Sequence, residues 1–318
     1  MIESLGRLLD GRVRMRHLIF ARAVADHGSL SRAAEALQVT QPYMTRSIQD
    51  LETALDVELF ERGPRGMATT PAGEVFVRHA VSVINTMRQA EERLDEISKG
   101  VTRGTVRVGV NLATVHALLP NAIMRFKERN PTITVSLVEE YQGALDVMLT
   151  RNEIDMIVGR LPSERLAGNK YLTLYEDPLV LAVRRTHPLI GRGFTVQSLV
   201  GMAWIMPAHS SVFRGEIDGM FIGQGLEPPR NLIESSTITA SRPILLGTDA
   251  IAVLPRSLVE ADPELALLPR TVDAAPRVIG ITVREGSVLD SVLSGFIEDI
   301  VAFGRELVTR RAVIAKTG

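Results

Sequence analysis

The chain has 318 residues, with 36 Lys and Arg against 37 Asp and Glu, a formal net charge of −1 and no cysteine. That length exceeds one ordinary domain, so two or three are expected, each with its own core. Disulfides, thiolate metal sites and cysteine nucleophiles are excluded, and the balanced charge offers no global basic field.

The first twenty residues mix Glu3, Asp10 and several Arg with apolar residues, unlike the core of a signal peptide. The uncharged run at residues 108–124 contains Asn, Thr, His and Pro and falls short of a membrane span. A soluble, cytoplasmic protein is the expectation. Residues 1–70 hold nine Arg, no Lys and nine acidic residues, so any role for their charge must come from placement.

In chain order, "MRHLIFARAVADHG" sets Leu18, Ala21 and Ala25, with Ile19 and Arg22, at helical spacing, and Gly28 is a natural stop. Ser29 is placed to cap a second helix whose buried stripe is Ala33, Ala34 and Leu37. "QVT" turns the chain, with Val39 filling the angle. Thr40 is expected to cap a third helix that tolerates Pro42 in its first turn. Met44, Ile48, Leu51 and Leu55 then share one face. The opposite face carries Gln41, Tyr43, Thr45, Arg46 and Gln49, where a recognition helix presents side chains to the major groove. Alone, this pair fits a helical corner with a solvated polar face as well as a DNA reader.

"ELFERGPRGMATTPAGEVF" follows at once. Leu59 and Phe60 begin a strand, "ERGPRG" makes a tip bearing Arg62 and Arg65, and a return strand leads to Thr70. Two Arg on a Gly-Pro loop are by themselves a solvated turn. Placed directly after a helix-turn-helix they make a wing, set against backbone or minor groove. Thr70-Pro71 caps a long helix whose apolar positions Phe76, Ala80, Val83, Met87, Ala90, Leu94 and Ile97 recur at 4-3-4-3-4-3. A narrow heptad stripe on so long a helix points to dimerisation; a helix packed in a monomer core is the alternative.

After the linker "KGVTRG", strands "TVRVGV", "TITVSLVE" and "IDMIVG" alternate with helices in 111–130 and in "GALDVMLTRNE", which indicates a parallel α/β layer. Beyond "LTLYEDPLVLAVRRTHPL" a similar series begins: "AWIMP", a helix in "SVFRGEIDGMFIGQG", "RNLIES", a helix in "ITASRPILLG", and "AIAVLP". "RVIGITVRE" and an amphipathic helix over residues 287–307 close the chain and can return to the first lobe. Ligands of such folds sit outside the carboxyl ends of strands, against helix N-termini. The cleft candidates are therefore the loops 111–114, 139–142, 207–211, 235–237 and 247–249. Their hydroxyls and backbone N–H groups suit a carboxylate, phosphate or polyol; any single hydroxyl is explained by helix capping, and it is their clustering at one end of two lobes that points to ligand contacts. The expected divisions are 15–70 (winged helix-turn-helix), 71–100 (linker helix), 103–173 with 277–318 (lobe I) and 174–276 (lobe II).

The six His are scattered, and no HExxH, GxxxxGK[ST] or GxSxG occurs. No catalytic residue, metal or cofactor is expected, and His209 beside Ser210 and Ser211 reads as a polar cleft loop. A DNA-binding enzyme-repressor and a non-catalytic solute-binding protein are the rivals; the second leaves the winged helix unexplained.

Over nearly its whole length the chain resembles the LysR-type transcriptional regulators. The resemblance rests on "SLSRAAEALQVTQPYMTRSIQDLE", on "LDVELFERGPRG" where the family has LGxxLF-R, on "TPAG", and on "GRLPSE", "LYEDPLVLAVRRTHPL" and "IAVLP". It implies a winged helix-turn-helix, a dimerising linker helix and a periplasmic-binding-protein-like effector domain. It further implies a homodimer or homotetramer on promoter DNA, tuned by a small organic acid, aromatic acid or sugar, with RNA polymerase as a further partner. By position, Gln41, Pro42, Tyr43, Thr45 and Arg46, with Thr40 and Gln49 beside them, lie on the reading face. Arg32, Arg62 and Arg65 meet phosphate or minor groove. Tyr43-Met44-Thr45 stands where the family often has Ala-Leu-Ser, and the bulk of Tyr43 would alter base preference. In the effector domain Asn111, Ala113, Thr114, Gln142, Arg160, Pro207, His209, Ser210, Thr237 and Asp249 are the candidate contacts. "VGRL" at 158–161 resembles the branch regulating aromatic-acid and sugar utilisation.

Overall fold

In a computed structural model, the structure describes residues 8–63, 66–98, 104–110, 118–162, 164–209, 212–235, 237–271, 278–287 and 291–317. The chain falls into two compact units, Met1–Arg107 with Gly143–Asp155, and Val108–Gln142 with Met156–Gly318.

The first unit opens with three helices, α1 (Met15–His27), α2 (Leu30–Ala36) and α3 (Gln41–Leu55). The buried face of α1 is His17, Phe20, Ala21, Ala23 and Val24. The expected face was rotated from this: Leu18 is only half-buried and Ile19 is exposed. Gly28 ends the helix in the left-handed region at φ 58°. Ala33 and Ala34 of α2 and Met44, Ile48 and Leu51 of α3 close the core with Leu59 and Phe60, and Val39 packs into its edge. The α2–α3 turn holds Gln38 at φ 54°, secured by Gln38 N–H to Glu35 O (3.0 Å) and Val39 N–H to Ala34 O (2.9 Å).

A two-stranded hairpin, β1 (Phe60–Gly63) with β2 (Gly66–Thr69), precedes the 28-residue helix α4 (Pro71–Ser98). Thr70 caps α4 as expected, accepting the Gly73 N–H at 3.0 Å. A Cβ at Gly73 would lie 1.9 Å from the Leu59 carbonyl, so only glycine permits this approach of helix to strand.

Two five-stranded sheets follow. β3 (Thr105–Val110), β4 (Thr134–Glu139), β5 (Met156–Arg160), β6 (Asn169–Glu176) and β12 (Val278–Arg284) stand in the order β4-β3-β5-β12-β6. β7 (Leu179–Arg184), β8 (Trp204–Met206), β9 (Leu232–Glu234), β10 (Ile251–Pro255) and β11 (Leu265–Thr271) stand in the order β11-β7-β10-β8-β9. The expected parallel layer is instead mixed: β3 and β5 are parallel, while β12 runs antiparallel to β5 and β6. In the second sheet β8, β9 and β10 are parallel and β7 is antiparallel to β10 and β11. The last strand therefore returns to the first sheet.

Alternation along the second sheet buries both faces. Leu179, Leu181 and Val183 of β7 join Trp204 and Met206 in one cluster, while Val180 and Ala182 join Ile205 and Ala252 in the other. The chain crosses between sheets at residues 177–178, where the buried Asp177 carboxylate accepts the Ser257 N–H (2.9 Å) and hydroxyl (2.5 Å).

The connecting helices are α5 (Leu119–Arg129), α6 (Gln142–Thr150), α7 (Val196–Leu199), α8 (Val212–Ile222), α9 (Ile238–Gly247), α10 (Arg256–Ala261) and α11 (Ser291–Thr317). The sequence reading assigned no element to β6, β7, α7, α10 or β11. It also ended α11 near Leu307, ten residues early. Among the described residues no helix is long and apolar enough to cross a membrane.

Candidate nucleic-acid interface and effector lobes

The expected reading helix, α3, shows a sharp contrast between its faces. Met44, Ser47, Ile48, Leu51 and Ala54 are buried, whereas Gln41, Pro42, Tyr43, Arg46 and Gln49 are exposed and Thr45 is half-buried. Tyr43 is not free to swing: its ring meets Phe20 of α1 edge-on at 5.7 Å and 86°. The Thr45 hydroxyl donates to Gln41 O at 2.9 Å, so its methyl and lone pairs are what it presents outward. Thr40 departs from expectation. It occupies the N-cap with extended backbone, but its hydroxyl makes no capping bond; the cap carbonyl alone takes the Met44 N–H (3.1 Å). Its exposed hydroxyl thus stays at the helix N-terminus, where an anion is favoured. Arg32 is exposed on α2, one turn from the Ser29 cap that accepts its N–H.

The far strand of the wing is tied to the helix-turn-helix through Gly28. Met67 N–H donates to Gly28 O at 2.9 Å, and a Cβ on Gly66 (φ 122°) would fall 2.3 Å from that same oxygen. Arg62 faces Met67 in the hairpin register and is exposed. Arg65 lies outside the described residues. The wing's near end is held by Glu52, whose Oε1 accepts the Leu59 N–H (2.8 Å) and the Phe60 N–H (3.1 Å). The sequence reading missed Glu52; its only signal was a carboxylate at the end of the reading helix, just before a strand with unpaired donors.

The heptad stripe of α4 divides. Ala80 is buried and Phe76 packs half-buried against the winged-helix core, while Val83, Met87, Ala90 and Leu94 are exposed; the Ile97 side chain is outside the described set. On the opposite side, Asn85 and Gln89 engage the carbonyls of Arg151 and Asn152.

Among the effector candidates, Asn111, Ala113, Thr114 and Ser210 lie outside the described residues. Gln142 begins α6 and Arg160 ends β5, both half-buried. Pro207 follows β8 and Thr237 follows β9, two adjacent parallel strands, so those carboxyl ends do converge. Thr237 caps α9 by accepting the Ala240 N–H at 3.4 Å, and the Ser241 hydroxyl donates to Thr237 O at 2.9 Å and lies 3.0 Å from Ser235 Oγ. His209 is exposed.

Asp249 is corrected. It precedes β10, whose Ile251 pairs in parallel with Trp204 at the start of β8, so it sits at the amino end of the sheet, away from Pro207. There it ion-pairs with Arg184 at 2.7 Å. The sequence reading missed Arg214, the buried cation of this region. Its side chain is 3% exposed, and it donates to Asp218 (3.0 Å), to Pro207 O (3.4 Å) and to Glu234 (3.3 Å) at the end of β9. An Arg-x-x-x-Asp pair opening a post-strand helix was its signal.

The family model described as the LysR substrate binding domain matches residues 99–304, and the one described as the bacterial regulatory helix-turn-helix protein, lysR family, matches 15–74. The chain belongs to the LysR family. As a LysR regulator it is a DNA-binding transcriptional regulator with an effector-binding domain. Similar curated LysR regulators include PcaQ of Agrobacterium fabrum, 32% identical over 87% of this chain and 90% of the relative. GbpR of Azospirillum brasilense is 30% identical over 79% of this chain and 74% of the relative. Among solved structures, full-length BenM is 25% identical, covers 94% of this chain and 98% of its own, and has a TM-score of 0.52. Full-length CbnR complexed with its target DNA shares the LysR fold at 24% identity, covering 92% of this chain and 100% of its own, with a TM-score of 0.61.

Proposed function

We propose that this LysR regulator reads promoter DNA through Gln41, Pro42, Tyr43, Thr45, Arg46 and Gln49, with Thr40, Arg32, Arg62 and Arg65 on phosphate or minor groove. The observation that carries this is the sharp division of α3: a wholly buried Met44–Ile48–Leu51 stripe backs an exposed polar face whose aromatic member is braced on Phe20. Residues 15–70 form the reading domain, 71–100 the linker helix, and 103–173 with 277–318 and 174–276 the two effector lobes.

Val83, Met87, Ala90 and Leu94 of α4 pair two copies into a dimer, and dimers assemble into a tetramer that meets RNA polymerase. A small organic acid, aromatic acid or sugar binds against Asn111, Ala113, Thr114, Gln142, Arg160, Pro207, His209, Ser210 and Thr237. The solved complex of CbnR with its target DNA and the effector-bound LysG of Corynebacterium glutamicum support the DNA-binding and effector-binding parts of this reading by analogy of fold. The protein works without catalysis, in the cytoplasm.

Arg46→Ala, made in the full chain, should weaken binding to the cognate promoter by about 1–3 kcal/mol and relax sequence preference at one position. Arg62→Ala should weaken binding to all sequences alike. Quantitative footprinting reads both. Footprints unchanged by either substitution would remove the assignment of the face, and turnover of a substrate by the purified protein would remove the non-catalytic reading.

A further inference from the structure

The linker helix α4 carries two unlike stripes. Val83, Met87, Ala90 and Leu94 are exposed and apolar. At about 3.6 residues per turn, Asn85, Gln89 and Glu92 fall roughly opposite them. Each member of the polar stripe, with Thr86 beside it, has a partner in or next to the segment Gly143–Asp155, which belongs to the same compact unit.

The bonds are specific. Asn85 Nδ2 donates to Arg151 O at 2.6 Å, Gln89 Nε2 donates to Asn152 O at 3.3 Å, and Asn152 Nδ2 donates to Thr86 Oγ1 at 2.6 Å. One turn along, the Arg107 guanidinium meets Glu92 at 2.9 Å, and its backbone brackets Asp155 by Asp155 N–H to Arg107 O (2.8 Å) and Arg107 N–H to Asp155 Oδ2 (2.7 Å). Asn85 and Asn152 are almost fully buried, at 3% and 7% exposure. Asn152 also holds φ at 56°, a left-handed conformation that Asn tolerates better than most residues.

Buried amides impose an all-or-none character on this contact. A half-separated arrangement leaves donors and carbonyls dry and unpaired, which costs more than either full engagement or full release into water. The position of the turn in the chain adds the second element. It joins α6, which begins at Gln142, to β5, which ends at Arg160, and both residues are proposed effector contacts.

We infer that the 151–152 turn and the Asn85–Thr86–Gln89 stripe form a polar latch that couples effector binding to DNA binding. This rests on the function proposed above. An effector that shifts α6 or β5 strains the latch, and the latch sets the linker helix whose opposite stripe pairs the reading heads. Binding linkage is reciprocal, so DNA on the reading heads must alter the 143–155 segment.

The test uses the full chain, a random-sequence DNA duplex at low ionic strength, and hydrogen exchange followed by mass spectrometry. Two variants are compared with the parent. Asn152→Gly removes the amide yet keeps the left-handed backbone open, and Thr86→Val removes the acceptor from the other side. DNA should change protection in 143–155 of the parent. In both variants that segment should exchange about tenfold faster without DNA, and the DNA-induced change should vanish, while DNA affinity stays within about twofold. A parent that binds DNA with 143–155 unaltered, or variants that keep the full response, would overturn the latch. Failure to bind DNA at all would instead strike the proposed function.

Discussion

At the first turn of α1, His17 is buried and its Nδ1 accepts the Arg14 backbone N–H at 3.3 Å. A ring accepting there carries its proton on Nε2, so the 3.5 Å approach of Arg16 to that nitrogen is not a second hydrogen bond. Burial first, and the Arg16 charge second, hold its pKa below the ordinary histidine value. The unfolded chain therefore takes up a proton before the folded one does. The stability His17 contributes is complete above about pH 6.5 and is lost as pH falls from there through the lowered folded value. Thermal melts should show the N-terminal unit weakening on acidification below that point, and His17→Gln should flatten the slope. An unchanged slope in the variant would assign the acid sensitivity elsewhere. Tyr43 makes the complementary point at this scale. Its exposure was legible from the helical period, but its bracing by Phe20 was not, because the register between α1 and α3 comes from packing and not from either helix alone.

Among elements, the wing and the linker helix show how one pattern can serve two purposes. The hairpin was legible from strand, Gly-Pro tip and strand. What places it is the Gly28–Met67 bond and the carboxylate of Glu52, both of which need the folded corner to present their acceptors. Gly66→Ala should force the strand off the Gly28 carbonyl, lowering stability by about 1–3 kcal/mol and weakening DNA binding further by moving Arg62. Denaturant titration and footprinting would read the two losses, and a wild-type midpoint would show that the close approach is relaxed in solution. The heptad of α4 was equally legible, yet a 4-3 spacing is the same whether the partner is α1 or another chain. Packing buries Ala80 and half-buries Phe76 within the fold and leaves exposed Val83, Met87, Ala90 and Leu94, the stripe proposed to pair with a second copy. Met87→Asp should thus yield monomers with an intact fold by light scattering, since a charge there meets solvent in the single chain but apolar surface in the pair. Dimers of undiminished mass would move the interface off this stripe.

The whole molecule is almost neutral, with a sequence pI near 6.6, and yet belongs to a family of DNA-binding regulators. Its proposed attraction to DNA rests on a few exposed Arg, such as Arg32, Arg46 and Arg62. Affinity should still fall steeply with salt, by a log–log slope of about −0.9 for each phosphate neutralised. Titrations at several salt concentrations would check this, and a flat dependence would mean that Arg32 and Arg62 do not meet phosphate.

The sequence alone was enough to determine the winged helix-turn-helix, the long linker helix and an α/β effector domain, because helical and strand periods, caps and turn residues act within a few positions of one another. It was enough, too, to separate the buried from the exposed face of α3, since one buried stripe fixes what the other side exposes. Tertiary structure decided what depends on distant residues. The mixed direction of the sheets follows from β12 returning to pair with β5 and β6. The amino-end position of Asp249 follows from the parallel register of β10 and β8. The buried Arg214 and the contact of Asn85 with residue 151 join segments whose local patterns carry no mark of each other, and only close packing brings them within hydrogen-bonding reach.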